Sequence, residues 1–293
     1  MKLSVYFDLH IGPGRCWLLC SFLWCYFWLS PAHAAKSAFE YPAGARNAVS
    51  LSFDDGSASQ VQLALPLLDR LGVSATFYVL PYHIRHQLSL WQQAVKSGHE
   101  IGNHTSSHTC TGNFRWLRNR DAGLEQVDLA FIQRDLQASQ ADLQRLLGVT
   151  PRHFAYPCGQ TFVGRGKEVQ SYVPLIAEHF VTGRTWHNET GNDPDYADFA
   201  QLSGIKIDGL NFEQLKELVE KHREQDKWLI LVGHEVGVAG PYTTDLAALE
   251  QLIRYLQDPA NGYWLAPVGE VATYISSQTA PQGATDIPSQ VAQ

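Results

Sequence analysis

From about residue 46 to about residue 275, short β-branched apolar runs alternate with stretches whose apolar residues recur at helical spacing, with no long linker or repeat between them. A chain of this texture has few options, because successive strands joined by helical crossovers pair in parallel. Val49–Phe53 reads as a buried strand, followed by a helix near Gln60–Leu71 in which Val61, Leu65, Leu68 and Leu71 share a face and Gly72 ends the run. The strand Ala75–Val79, a helix capped by Ser89 and running through Val95, and the segment Glu100–Gly102 come next. Leu124–Leu147 is the longest predicted helix, stopped by Gly148, and His153–Pro157 is a short strand broken by proline. The pattern continues with helix Val173–His179, strands Phe180–Gly183 and Leu202–Ile207, helix Phe212–Glu224 and strand Trp228–Val232. Helix Thr244–Leu256, strand Tyr263–Ala266 and a helix near Val268–Ile275 complete it. Roughly seven or eight such units suit an α/β barrel, in which functional side chains gather at the carboxyl ends of strands.

The two ends of the chain have other textures. Lys2 and Arg15 precede a mostly apolar and aromatic run from Cys16 to Leu29, and Ala32-His33-Ala34 forms a small-residue cleavage site. Residues 1–34 are therefore expected to be a secretory signal peptide. An uncleaved anchor is the alternative, kept open by the long front end containing Asp8. Residues 35–277 are expected to form one domain, entered through an irregular lead-in as far as residue 45. Residues 278–293, rich in Gln, Ser, Thr, Ala and Pro, read as a disordered tail. The expectation is a secreted or periplasmic protein that makes no membrane contact after cleavage. Formal net charge is −7, and no basic cluster survives removal of the leader, which argues against a nucleic-acid partner. An acidic surface suits a neutral sugar polymer and a small ligand equally well.

The chemistry-bearing residues sit where strands should end. Asp54 and Asp55 follow Phe53 at the end of the first strand, and paired carboxylates there are costly to desolvate unless a cation or a shared task holds them. Asn103-His104-Thr105-Ser106-Ser107-His108 offers two imidazoles four residues apart. Two histidines and one carboxylate make three protein ligands to a divalent metal and leave positions for water and substrate. The second aspartate is then free to act as a base, which makes a metal-dependent hydrolase the working expectation.

Ser52-Phe53-Asp54-Asp55-Gly56, His104-Thr105-Ser106-Ser107-His108, Phe154-Ala155-Tyr156-Pro157-Cys158-Gly159 and Leu231-Val232-Gly233-His234, in that order, resemble the motifs of the polysaccharide deacetylase family, the NodB-homology group also called carbohydrate esterase family 4. The resemblance spans about residues 46–275. It implies a distorted (β/α)7-8 barrel, a divalent metal with zinc the expected one, and hydrolysis of N- or O-acetyl groups on an acetylated poly- or oligosaccharide. By that resemblance Asp55, His104 and His108 are the metal ligands, Asp54 the catalytic base and His234 the general acid. The Cys158 amide and the Tyr156 loop would hold the oxyanion, and Val232 and Trp186 would wall an acetyl-sized pocket. Many members of the family carry an arginine where this chain has Ala155, paired with the catalytic aspartate; Arg184 is the candidate substitute. Asp208 and Asp193 are both candidates to orient His234. Cys110 and Cys158, an even pair next to two of these motifs, are expected either to be bonded to each other or to be two buried thiols. Trp116, Tyr242 and Trp264 are candidates to stack on sugar rings, with core packing as the alternative. Three rival functions stay open: a sugar-binding protein without catalysis, a hydrolase of other small C–N amide bonds, and an iron oxygenase with the same ligand set.

Overall fold

The computed structural model describes residues 39–223 and 225–279; the expected leader 1–34 lies outside them, as does the expected tail from residue 280 onward. Eight parallel strands form the main sheet: β1 (Asn47–Asp55), β2 (Thr76–Val79), β3 (Glu100–Asn103), β4 (His153–Ala155), β5 (Thr182–Arg184), β6 (Gly204–Lys206), β7 (Trp228–Gly233) and β8 (Tyr263–Leu265). Their order is β5-β4-β3-β2-β1-β7-β6, with β8 joined to β1. The two ends of that order meet through a single bridge between Arg184 and Leu202, where Thr185 N–H donates to Leu202 O at 2.8 Å and Leu202 N–H to Gly183 O at 2.7 Å. The sheet is thus nearly closed into a barrel, as the strand–helix alternation predicts. Its distortion has a local cause. β1 divides one edge between two partners, pairing residues 47–49 with β8 and residues 52–55 with β2.

The helices that surround the sheet are α1 (Leu65–Leu71), α2 (Leu88–Lys96), α3 (Leu129–Leu147), α4 (Val173–His179), α5 (Phe212–Glu220), α6 (Leu246–Gln257) and α7 (Val268–Thr279). Three boundaries depart from the sequence reading. The first predicted helix is split into a π-helical turn, Gln60–Ala64, and α1, because Pro66 has no amide hydrogen to continue the regular ladder. Ser89 lies inside α2 rather than capping it, since a 3-10 turn at Arg85–Gln87 leads into the helix. α3 begins at Leu129, where the Asp128 carboxylate accepts from Phe131 N–H; Leu124 is instead buried beneath a loop, its N–H donating to Cys110 O. At the other end α7 runs to Thr279, two residues into the expected tail. No helix among the described residues is long and apolar enough to cross a membrane.

Alternation along β1 sorts its side chains to the two faces of the barrel wall. Val49, Leu51 and Phe53 pack outward against α1, α2, α5 and α6 in the largest core cluster. Ser50, Ser52 and Asp54 are of the other parity, buried, and make the barrel interior polar there. Ser50 Oγ accepts from Trp228 Nε1 at 3.0 Å, and Ser52 Oγ donates to Leu231 O at 3.1 Å. A second cluster joins Trp228, Ile230 and Val232 of β7 to α7 and to Tyr41, a buried lead-in residue just before a 3-10 turn at Pro42–Gly44. The first residues of α7 meet the amino ends of β2 and β3, where Val268 N–H reaches Thr76 and Gly269 N–H reaches Glu100. That leaves the carboxyl ends of the strands open.

Gly102 of β3 lies beside Tyr78 of β2, and a Cβ at that position would come within 2.3 Å of the Tyr78 ring. Gly102→Ala should therefore overpack the wall and cost about 1–3 kcal/mol. Urea unfolding checks it, with a lowered midpoint expected at unchanged slope.

Candidate active site

Asp54 and Asp55 are neighbours on a strand and should face opposite sides of it. They do not, because Asp55 adopts a left-handed backbone (φ 77°) that turns its side chain toward the open end of the barrel. The Asp55 carbonyl is held in that position by Leu80 N–H at 3.3 Å and by the His83 ring, Nδ1 at 3.0 Å. Asp54 keeps the inward parity of Ser50 and Ser52 and is buried. Its Oδ1 is paired with Arg184 Nη2, and Arg184 is itself fully buried. Ala155 on β4 stands directly across from Arg184 on β5 in the ladder. The arginine therefore arrives from the strand adjoining the position where the resemblance leads one to look for it. Its guanidinium lies 4.7 Å over the Tyr78 ring, and Nη1 donates to Thr185 O at 3.0 Å. A Cβ on Gly204 would come within 2.9 Å of the Arg184 side chain, so that glycine keeps its path across the barrel open.

His104 and His108 come from the loop after β3. His104 Nδ1 lies 2.9 Å from Ala155 O and so carries the proton, which leaves a bare lone pair on Nε2. Left-handed residues at Thr105 (φ 67°) and His108 (φ 49°) fold the loop back on itself. Asp135 of α3 accepts from the backbone N–H groups of Ser106 and Ser107. Asp55 Oδ1 stands 3.5 Å from His104 Nε2 and 3.4 Å from His108 Nε2, and it is buried with no hydrogen-bond partner. Lone pairs of a carboxylate and two imidazoles that converge without a proton between them fit a cation, and all three ligand atoms lie within 4.8 Å of one another. Burial pushes the Asp55 carboxyl up, but the His104 contact, with His108 and His234 close by, outweighs it and holds the pKa well below the usual range. Burial, reinforced by neighbouring His104, lowers His108 to about 4, so its ring is neutral and able to ligate.

His234 follows β7 on the far side of Asp54. Its Nδ1 is 2.7 Å from Asp208 Oδ2, while Asp208 Oδ1 accepts from His234 N–H at 3.1 Å and Thr244 Oγ1 at 2.8 Å. Of the two carboxylates left open by the sequence, Asp208 meets His234 and Asp193 instead pairs with Lys227 at 2.9 Å. Burial lowers the His234 pKa, but the Asp208 hydrogen bond and the Asp54 charge more than offset it, and the net shift is upward. Cys110 and Cys158 are disulfide-bonded with Cα atoms 5.9 Å apart, tying the His108 loop to the loop after β4. Cys158 is left-handed (φ 55°), and its N–H finds no acceptor among the described residues.

These groups share one cavity of about 470 Å³, with Phe114, Trp116, Trp186 and Tyr242 as aromatic walls. Cys158 and Gln160 complete its lining. Two expected site residues lie elsewhere. Tyr156 is fully buried, its hydroxyl donating to Ala200 O at 2.7 Å, and Val232 is buried in the second core cluster behind Trp186. Trp264 packs against Tyr274 and Tyr41 rather than lining the cavity. The sequence reading missed Gln60, whose buried amide donates to both Asp54 O and His234 O and so clamps the ends of β1 and β7. A glutamine in an amphipathic segment carries no signal of that role. Arg184→Met would leave Asp54 buried and unpaired, and should destabilise the fold by about 3–5 kcal/mol. Adding Asp54→Asn should recover part of the loss, a coupling that a double-mutant cycle in denaturant measures.

Residues 42–171 match the family model for polysaccharide deacetylase. Chitin deacetylase 1 of Cryptococcus neoformans var. grubii is 26% identical over 186 residues, covering 62% of this chain and 34% of that protein. Chitooligosaccharide deacetylase of a Bradyrhizobium species is 34% identical over 131 residues, covering 44% of this chain and 53% of the relative. The chain spans only about a quarter to a half of the length of the curated relatives it matches. Among solved structures, a Mycobacterium smegmatis protein assigned to the polysaccharide deacetylases superposes with a TM-score of 0.61 at 17% identity, over 82% of this chain and 94% of its own, a likeness of fold. The match to the polysaccharide deacetylase model thus covers residues 42–171, less than half of the chain, and the barrel around it has the fold of that solved structure.

Proposed function

We propose that this chain is a metal-dependent hydrolase that removes N- or O-acetyl groups from a carbohydrate outside the cytoplasm. The observation that carries the reading is the placement of Asp54 beside the Asp55, His104 and His108 cluster but outside it, with His234 facing them across one cavity. Held by Asp55, His104 and His108, a divalent cation such as zinc would polarise the acetyl carbonyl and acidify water. Asp54, oriented by Arg184, takes the proton from the attacking water. The Cys158 N–H, on a residue that lines the cavity, donates to the oxyanion as charge develops there. His234, held by Asp208 through Nδ1, delivers a proton from Nε2 to the departing amine or alcohol. Substrates of chitin, peptidoglycan or acetylxylan type all present such a bond. A disulfide beside the site, together with the leader-like segment 1–34, supports secretion or a periplasmic location.

Acetate release from a panel of N- and O-acetylated oligosaccharides tests this directly. Chelator should abolish release and added zinc restore it, and Asp54→Asn should lower the rate by about 10²–10⁴-fold. Release that ignores chelator would overturn the metal-dependent reading. Binding of these sugars without turnover, in wild type and Asp54→Asn alike, would favour a sugar-binding protein instead. The pH profile carries a second expectation. His234 donates only while protonated, so the rate falls as pH rises through its pKa, which lies above the ordinary imidazole value. Asp208→Asn removes the main upward influence and should move that basic limb to lower pH.

A further inference from the structure

A second cavity, of about 370 Å³, adjoins the first and shares Asp55, His108 and Trp116 with it. The cleft therefore runs on past the candidate metal cluster, and the chemistry of its walls changes there. The far cavity is lined by Tyr82, His83, Ser106 and Arg120. Tyr82 is two-thirds exposed, and Trp116 is nearly half exposed. The Arg120 guanidinium lies 5.9 Å from the centre of the Trp116 ring and has no carboxylate partner among the described residues. Arg120 is the one Lys or Arg among the residues lining this cavity, on a chain of net charge −7. The carboxylates that face the cavity are already engaged. Asp55 turns into the metal cluster, and Asp135 behind the loop accepts from Ser106 and Ser107.

Aromatic side chains and a free guanidinium lining one cavity suit a pyranose ring that bears an anion. We propose that the second cavity is a subsite for a carboxylate-bearing sugar adjoining the acetylated one, with Arg120 recognising the carboxylate and Trp116 and Tyr82 flanking the ring. The assignment rests on the carbohydrate reading above and deepens it. It makes the preferred substrate an acidic heteropolymer rather than a neutral homopolymer, with the acetyl group removed from a unit inside the chain.

Two matched pairs of tetrasaccharides test it: xylotetraose with and without a glucuronic acid branch, and chitotetraose against a tetramer in which alternate sugars carry a 3-O-lactyl ether. Binding is measured by calorimetry on zinc-loaded protein, and acetate release is followed separately on the acetylated forms. In at least one pair the acidic member should bind about tenfold more tightly, with the advantage shrinking as salt is raised. Arg120→Gln should bring that ratio close to one, and Arg120→Lys should retain part of it. Preference in the first pair alone identifies a uronic acid, and in the second alone a lactyl ether. Equal binding within both pairs, or a preference that Arg120→Gln leaves intact, overturns the subsite. Acetate release from the neutral members with no acidic preference overturns the subsite alone, whereas an Arg120-dependent preference without acetate release from any member supports it and overturns the deacetylase reading.

Discussion

A carboxylate taken out of water without a cation costs several kcal/mol, and Asp54 lies in the barrel interior where only protein can supply one. Arg184 does so, and much of the local architecture follows from getting it there. Gly204 leaves room for its methylenes, and Gly102 lets Tyr78 lie flat enough to receive its guanidinium. The one bridge that brings the two ends of the sheet together is formed by the backbone of Arg184 itself. Closure of the barrel and neutralisation of Asp54 are thus parts of one arrangement. The ion pair fixes a geometry in which the carboxylate can face water without leaving its place.

The second constraint is backbone handedness. A regular β1 would send Asp54 and Asp55 to opposite faces, and one of them would be lost to the site. A left-handed Asp55 is an unfavourable conformation for a residue with a Cβ, of the order of 1–2 kcal/mol, and it persists because the chain around it is over-determined. His83 and Leu80 grip its carbonyl, and Gln60 grips that of Asp54. His108 and Cys158 are left-handed as well, so three non-glycine residues of this kind line one cavity, and Thr105, next to His104, is a fourth close by. Strain concentrated there is what holds groups that would otherwise diverge.

What could be read in the sequence follows from this physics. The strand–helix alternation is a property of local periodicity, and it located the barrel strands to within a few residues. Asp54, Asp55, His104 and His108 were legible because each lies next to a strand end in a short run with little freedom. Arg184 was legible as a candidate, since it ends a neighbouring strand, but its pairing depends on the β4–β5 register. Asp208 and Asp193 were indistinguishable, because the difference lies in which one the chain carries to β7 and which one Lys227 takes. The side chains of Tyr156 and Val232 are buried and do not line the cavity, because membership of a motif does not say which way a side chain points. Gln60, His83 and Thr244 act through hydrogen bonds that leave no trace in composition.

The division of the site along the chain has a consequence of its own. Asp54, Asp55, His104, His108 and Cys158 all lie within residues 42–171, the segment matched by the family model, whereas Arg184, Asp208 and His234 come after it. The first half supplies Asp54 and the candidate ligand cluster; the second supplies the counter-charge of Arg184 and the His234–Asp208 pair, and the ring of strands brings them together. Selection can then rework one half while the other stays recognisable. Arg184 is placed as such freedom would allow: the family match falls in the half that carries the candidate ligand cluster, and the partner of Asp54 lies outside it.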